Sequence, residues 1–122
     1  MWYSSYTDSK LDKVRCEMVV VRVLFPTAGM NPAEFNEKMV ASIPRYEGLD
    51  GLVRKYYVLT EDEKKGGGIY LWQSREKAEQ FYNEEWKMRI KELFGETPML
   101  EYLDCSIVVD NETKEVRNLV TA

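Results

Sequence analysis

The stretch from Gly66 to Trp86 constrains the fold of this chain more than any other part of its sequence. It opens with three consecutive glycines, continues as Ile-Tyr-Leu-Trp, and reaches Ser74 before a second group of aromatic residues. Glycine permits backbone angles closed to other residues, alternating aliphatic and aromatic residues suit a pleated strand, and serine is a preferred helix N-cap. The stretch therefore predicts a turn, a strand and the start of a helix. Its aromatic side chains either fill a core or line a cavity.

The composition is that of an ordinary globular domain. The 122 residues are 44% hydrophobic and 31% charged, with a net charge of -4. A single domain of this length should bury roughly two thirds of its unfolded surface. Lysine and arginine are scattered and outnumbered by acidic residues, no apolar run is long enough to span a membrane, and the N-terminus lacks the apolar segment of a signal peptide. We therefore expect a cytoplasmic protein with neither nucleic-acid nor membrane partners.

The absence of histidine narrows the possible chemistry. Without an imidazole the chain has no usual haem ligand, few options for a zinc site and no histidine-activated nucleophile. Cys16 and Cys105 lie far apart and belong to no Cys-x-x-Cys motif, so neither a disulfide framework nor a zinc site is predicted. We expect a protein that binds no metal and needs no cofactor.

Start and stop signals define the two predicted helices. Asn31 can cap the first helix with Glu34 as its reciprocal partner, and Pro44 should end it. Four-residue spacing predicts its buried stripe to be Phe35, Met39 and Ile43. The second helix is predicted over 75–94, with Gly95 as its C-cap. Its predicted apolar stripe includes Ala78, Tyr82, Trp86 and Ile90.

The predicted strands complete a known arrangement. The first two lie at 17–25 and 52–59, the third follows directly after the three glycines, and the fourth lies at 99–109. The order β-α-β-β-α-β is that of the ferredoxin-like α+β sandwich, in which two helices cover one face of four antiparallel strands. We expect one domain over 1–122, with an N-terminal extension (1–16), a core (17–111) and a polar C-terminal tail (112–122).

The first strand is apolar on both of its faces, which predicts a partner for the second face. Its alternating sets are Val19, Val21, Val23 and Phe25 on one side and Met18, Val20, Arg22 and Leu24 on the other. Two helices can cover only one face, and a large exposed apolar face usually marks an interface. A homodimer that stacks sheet against sheet is the expected solution.

Several segments together resemble a known family, the YdhR-like monooxygenases, which are dimeric α+β barrels. The segments are Gly51 to Tyr57, Gly67 to Trp72, Ala78 with Phe81-Tyr82 and Glu85-Trp86, Gly95 with Pro98, and Val108 to Asn111. The resemblance covers roughly 17–111 and is strongest from Gly51 onward. It implies a homodimer joined through the sheet faces, with a ligand cavity between sheet and helices in each subunit. It also implies oxidation of a small aromatic or polyketide-like substrate without metal, flavin or haem.

Such chemistry needs a dry pocket, a base and groups that hold a phenolate. The candidate catalytic residues are Asp104, as the base, and Lys55, as a cation for the phenolate. A deprotonated tyrosine is the alternative base. The candidate substrate-binding residues are Arg22, Tyr57, Tyr70, Trp72, Tyr82 and Trp86.

Simpler structural roles remain open for the same residues. The aromatic residues suit core packing, Lys55 suits an exposed strand position, and Arg22 could form a cross-strand ion pair with Asp104. Two other functions are also compatible with the sequence. One is a non-catalytic module that binds a small apolar ligand, and the other is a non-redox cyclase, isomerase or decarboxylase.

Overall fold

The fold is built around a four-stranded antiparallel sheet, and the computed structural model describes residues 15–121. The elements in chain order are β1 (Arg15–Cys16), β2 (Met18–Pro26), α1 (Pro32–Tyr46), β3 (Leu52–Leu59), β4 (Lys65–Trp72), α2 (Arg75–Phe81), α3 (Glu84–Phe94), β5 (Met99–Cys105), β6 (Ile107–Asp110), β7 (Glu115–Asn118) and β8 (Val120–Thr121). The central sheet has the order β3-β4-β2-β5. This is the ferredoxin-like α+β fold, as predicted.

The core lies between this sheet and the helices. The alternation in β2 is confirmed, because Val19, Val21, Val23 and Phe25 are all at most 5% exposed and pack with the helices. From the helices and the link between α2 and α3 come Phe35, Met39, Ala78, Tyr82, Trp86, Ile90 and Phe94. The opposite sheet face, which we call the open face, carries the other β2 set.

The first helix begins as predicted and ends later than predicted. Asn31 accepts a hydrogen bond from the Glu34 N–H, and the Glu34 side chain accepts one from the Asn31 N–H. Pro44 lies inside the helix, since one proline removes only one backbone donor and the following turn is held by Tyr46, which packs against the core. Ile43 was predicted to be buried and is 38% exposed.

The predicted second helix is two helices. α2 ends at Phe81, and Asn83 starts α3 by accepting a hydrogen bond from the Trp86 N–H at 2.9 Å. The break reorients the chain but preserves the predicted apolar stripe, because Tyr82 and Trp86 are each only 3% exposed.

The glycine run was predicted to form a turn, and this prediction is wrong. Gly66, Gly67 and Gly68 lie within β4, and the turn precedes them. That turn is closed by polar side chains: the Thr60 hydroxyl donates to Asp62, and Asp62 accepts from the Lys64 N–H. The glycines instead leave space on the sheet, because a side chain on Gly66 would overlap the Phe35 ring.

The C-terminal region is more structured than a polar tail. The predicted strand 99–109 is interrupted at Ser106, and β6 then pairs with β7 as a hairpin. Beyond it Leu119 is buried and β8 pairs with β1. Arg54 reaches Asp110 at 3.4 Å, which ties the hairpin to the sheet. Most of the predicted N-terminal extension lies outside the described residues.

Candidate functional site

A cavity of about 220 Å³ lies beneath α1, between the sheet and α3. Its lining is mostly apolar and aromatic, with three basic side chains and three hydroxyl groups among the members. The lining residues are Phe25, Lys38, Met39, Ala41, Ser42, Arg45, Tyr46, Lys55, Gly67, Tyr70, Trp86, Ile90, Leu93 and Phe94. Three of the predicted site residues therefore meet here, namely Lys55, Tyr70 and Trp86.

Lys55 is enclosed by aromatic rings. Its Nζ lies 3.3 Å from the ring centroid of Tyr46, 3.9 Å from that of Tyr57 and 4.7 Å from that of Tyr70. The residue occupies space that exists because Gly68 has no side chain: a Cβ there would meet the Lys55 Cε at 2.9 Å. No carboxylate among residues 15–121 forms a salt bridge with Lys55.

This environment shifts the protonation of Lys55. Burial lowers its pKa from 10.5 to about 7, and the nearby positive charge of Arg45 contributes in the same direction. The faces of the surrounding aromatic rings favour the protonated form of Lys55, because they attract an ammonium ion. At neutral pH the amine is thus available both as a proton acceptor and, once protonated, as a cation.

Hydroxyl and indole groups form a second feature of the cavity wall. The Tyr46 hydroxyl accepts long hydrogen bonds from the Tyr70 hydroxyl and the Trp86 indole N–H, each at 3.4 Å. The Tyr57 hydroxyl lies 2.7 Å from the hydroxyl of the lining residue Ser42, but Tyr57 itself is outside the cavity lining. Burial raises the pKa of Tyr57 and of Tyr70 above the usual value. These hydroxyls therefore stay protonated at neutral pH and serve as donors, which argues against either tyrosine as the base.

Sequence comparison assigns this architecture to a family. Residues 20–97, more than half of the chain, match the family described as Putative mono-oxygenase ydhR. The chain belongs to the ydhR family. The comparison with curated proteins found no match.

Two predicted site residues of this ydhR-family chain lie behind the cavity wall. Trp72 is fully buried, and its indole N–H donates to the Tyr82 hydroxyl at 3.0 Å. Tyr82 in turn packs edge-on against Trp86, with ring centroids 4.9 Å apart. Neither Trp72 nor Tyr82 lines the cavity, so in this structure both support the wall that Trp86 forms.

Arg22 and Asp104 also lie away from the cavity lining. Strand alternation turns Arg22 to the open face, where its Nε is 3.0 Å from a carboxylate oxygen of Glu101, its cross-strand neighbour. The predicted ion pair between Arg22 and Asp104 is therefore wrong, because Arg22 pairs with Glu101 instead. Asp104 lies on the edge strand β5, where its register partner on β2 is Val19, and its side chain is exposed.

Sequence reasoning missed the contribution of α1 to the site. A helix that ends at Pro44 leaves Arg45 and Tyr46 in a loop, whereas both belong to its last turn. Phe35, Met39 and Tyr46 are spaced by four and then seven residues, which is helical spacing, and it could have revealed the longer helix.

Two features of the described chain bear on other kinds of site. No group of three or more His, Cys, Asp or Glu side chains within 15–121 is arranged to hold a metal ion. None of the helices in that range combines the length and apolar character needed to cross a bilayer.

The buried Lys55 should make stability depend on pH. The unfolded lysine has a pKa of 10.5 and the folded one about 7, so between these values the unfolded chain binds more protons. Stability therefore rises with pH across this window, and below it the folded protein carries the full cost of a buried ammonium. We expect Lys55→Met to be more stable than the wild type near pH 6 and to lose this advantage towards pH 10. Urea unfolding followed by tryptophan fluorescence would measure both.

A lysine outside the cavity provides the control. Lys91→Met removes the same charge from an exposed position on α3 and should keep the wild-type pH dependence. An unchanged slope in Lys55→Met would contradict the burial of the amine.

Proposed function

We propose that this protein is a cofactor-independent monooxygenase that oxidises small phenolic aromatic compounds in the cavity beneath α1. The observation that carries the proposal is the Lys55 amine, enclosed by aromatic rings and unpaired with any carboxylate among residues 15–121. Membership of the ydhR family supports an oxygenase over other reactions on the same scaffold.

The size and lining of the cavity support an aromatic substrate. A volume of about 220 Å³ lies below the range of drug-sized pockets and suits a compound of one or two rings. Tyr70, Trp86 and Phe94 offer flat apolar surfaces against which such rings can pack. Because these three rings are buried, charge interactions beside them would be stronger than in open water.

The first step proposed is proton transfer from the phenol to the neutral Lys55 amine. The products are an electron-rich phenolate and an ammonium ion, and their attraction offsets part of the cost of forming the anion. Lys55 is better placed than Asp104 to act as the base, because Lys55 lines the cavity and Asp104 does not. Its pKa of about 7 lies close to the working pH, which is optimal for a general base.

The second step is reaction of the phenolate with dioxygen. One electron passes to oxygen, and the resulting radicals combine at the ring carbon para to the hydroxyl, where the Lys55 ammonium can return its proton to the peroxide. Cleavage of the O–O bond with loss of the para hydrogen gives a quinone and water. One oxygen atom thus enters the product and the other leaves as water, so the substrate supplies all four electrons.

Oxygen consumption with 1-naphthol tests the reaction. The protein, treated with a chelator and free of flavin and haem by absorbance, should consume one dioxygen for each 1,4-naphthoquinone formed. Binding of 1-naphthol without oxygen uptake would contradict the proposal and favour a non-catalytic binding module.

The apolar open face supports a homodimer joined through the two sheets. Tyr56, Met99 and Leu103 are 55%, 51% and 45% exposed there, and the β6–β7 hairpin borders the face with a groove of about 520 Å³. A patch of this kind on a small domain is typical of an interface.

We therefore expect Leu103→Asp to convert a dimer into a monomer, because the substitution would bury a charge between the sheets. Light scattering after size exclusion would report the mass. Val40→Asp is the matched control, since Val40 is similarly exposed, at 53%, but lies on α1. A wild-type protein that is monomeric at micromolar concentration would refute the dimer.

A further inference from the structure

The charges around the cavity depart from those of the whole chain. The chain carries 21 acidic and 17 basic residues, yet the cavity lining contains Lys38, Arg45 and Lys55 and no acidic residue. Because a cluster of like charges is unfavourable without a counter-charge, this arrangement favours an anionic group in the ligand.

Two of these cations lie at the exposed edge of the cavity. Lys38 and Arg45 are seven residues apart on α1, which places them two turns apart on the same side of the helix. Both are exposed, while Lys55 is half-buried. The lining is therefore divided between a basic mouth and a deeper aromatic part that holds the amine.

Neither mouth residue is neutralised by the protein. Within residues 15–121, no carboxylate lies within salt-bridge distance of Lys38 or Arg45, whereas six ion pairs form elsewhere. Arg45 also lies in the last turn of α1, where a cation interacts favourably with the helix dipole. That role does not account for Lys38, which lies in the middle of the helix.

We propose that the ligand of this cavity is an aromatic carboxylate, whose acid group is bound by Arg45 and Lys38 at the mouth while its ring system lies inside. The guanidinium of Arg45 can form two parallel hydrogen bonds to a carboxylate, and the Lys38 ammonium adds a point charge. A carboxylate attached to a ring can lie in the plane of that ring, so it suits a narrow aromatic cavity. This inference rests on the proposed function for the phenolic end of the substrate, which would be directed towards Lys55.

The test is a pair of ligands that differ only in the acid group. Calorimetry without oxygen would compare 5-hydroxy-2-naphthoate with 1-naphthol, which share the phenolic ring. We expect the acid to bind at least about tenfold more tightly, as charge-assisted hydrogen bonds are the strong ones. In Arg45→Met combined with Lys38→Met, this preference should fall to about twofold or less. Both substitutions are at exposed helix positions, so the fold should be retained.

Arg89→Met is the control, because Arg89 is outside the cavity lining and pairs with Glu85. It should keep the wild-type preference. Equal binding of the two compounds, a preference that survives in the double variant, or failure of both compounds to bind would each overturn the inference.

Oxygen uptake separates this inference from the proposed function. Tight, charge-dependent binding of the acid without oxygen uptake would leave the ligand class intact and reject the monooxygenase. Oxidation of 1-naphthol with no preference for the acid would support the monooxygenase and reject the aromatic carboxylate as its ligand.

Discussion

Lys55→Met will lower the rate of oxygen consumption with 1-naphthol by roughly 10² to 10⁴, the usual contribution of a general base. Methionine keeps a flexible apolar chain of similar length, so the aromatic enclosure formed by Tyr46, Tyr57 and Tyr70 should persist. The wild-type kcat/KM should rise with pH and level off above about 7, the pKa of the amine. The residual rate of the variant should lack this rise.

The Lys55→Arg variant distinguishes a role of Lys55 as a general base from a role as a fixed positive charge. Arginine keeps a cation that can pair with a phenolate, but it does not lose its proton at accessible pH. We expect a loss similar to that in Lys55→Met. If Lys55→Arg retains more than about a tenth of the activity, Lys55 acts as a fixed charge and another group takes the proton. Lys87→Met, which alters a lysine paired with Glu84 on α3, should retain full activity.

Gly67→Ala will be among the most destabilising single substitutions in the sheet. The Cα of Gly67 lies against the Val23 carbonyl on the neighbouring strand β2, so an added Cβ would overlap backbone atoms. Backbone in the middle of a sheet cannot move aside as a flexible side chain can. We expect a loss near the upper end of the overpacking range, about 3 kcal/mol, measured by urea unfolding.

Gly48→Ala distinguishes this overlap from the general cost of replacing a glycine. Gly48 has a φ of 67°, and nothing lies within 4 Å of the point that an added Cβ would occupy. Its substitution should cost about 1 kcal/mol, because only the left-handed backbone is strained. Equal unfolding midpoints for the two variants would show that the approach of Val23 to Gly67 is not a constraint.

The fold could be predicted where local rules and the final structure agree. The alternation in β2 identified the buried valines, and the predicted caps at Asn31 and Ser74 form the expected hydrogen bonds. Local rules failed where packing outweighs them. Packing of Tyr46 against the core carries α1 beyond Pro44, and glycines that suggested a turn serve to bring strands and side chains close together.

The site was harder to predict from the sequence than the fold, because it depends on which strand residues share a face of the sheet. Lys55 and Tyr70 are register neighbours on β3 and β4 and line the cavity together with Tyr46. The same alternation that buried Val21 already placed Arg22 on the opposite face, which conflicts with the prediction of Arg22 as a cavity residue. The low pKa of Lys55 could not be predicted, since it arises from burial and from Arg45, which lies on a different element.

The missing side chain at Gly68 also affects where the Lys55 amine can lie. Lys55 occupies its position because the neighbouring strand leaves room for it, and no described carboxylate holds it by an ion pair. Under the proposed function, a phenol that reaches the amine would therefore displace no carboxylate, and the lysine would change its protonation without the rupture of a salt bridge. The amine would then return to the same aromatic contacts after each proposed turnover.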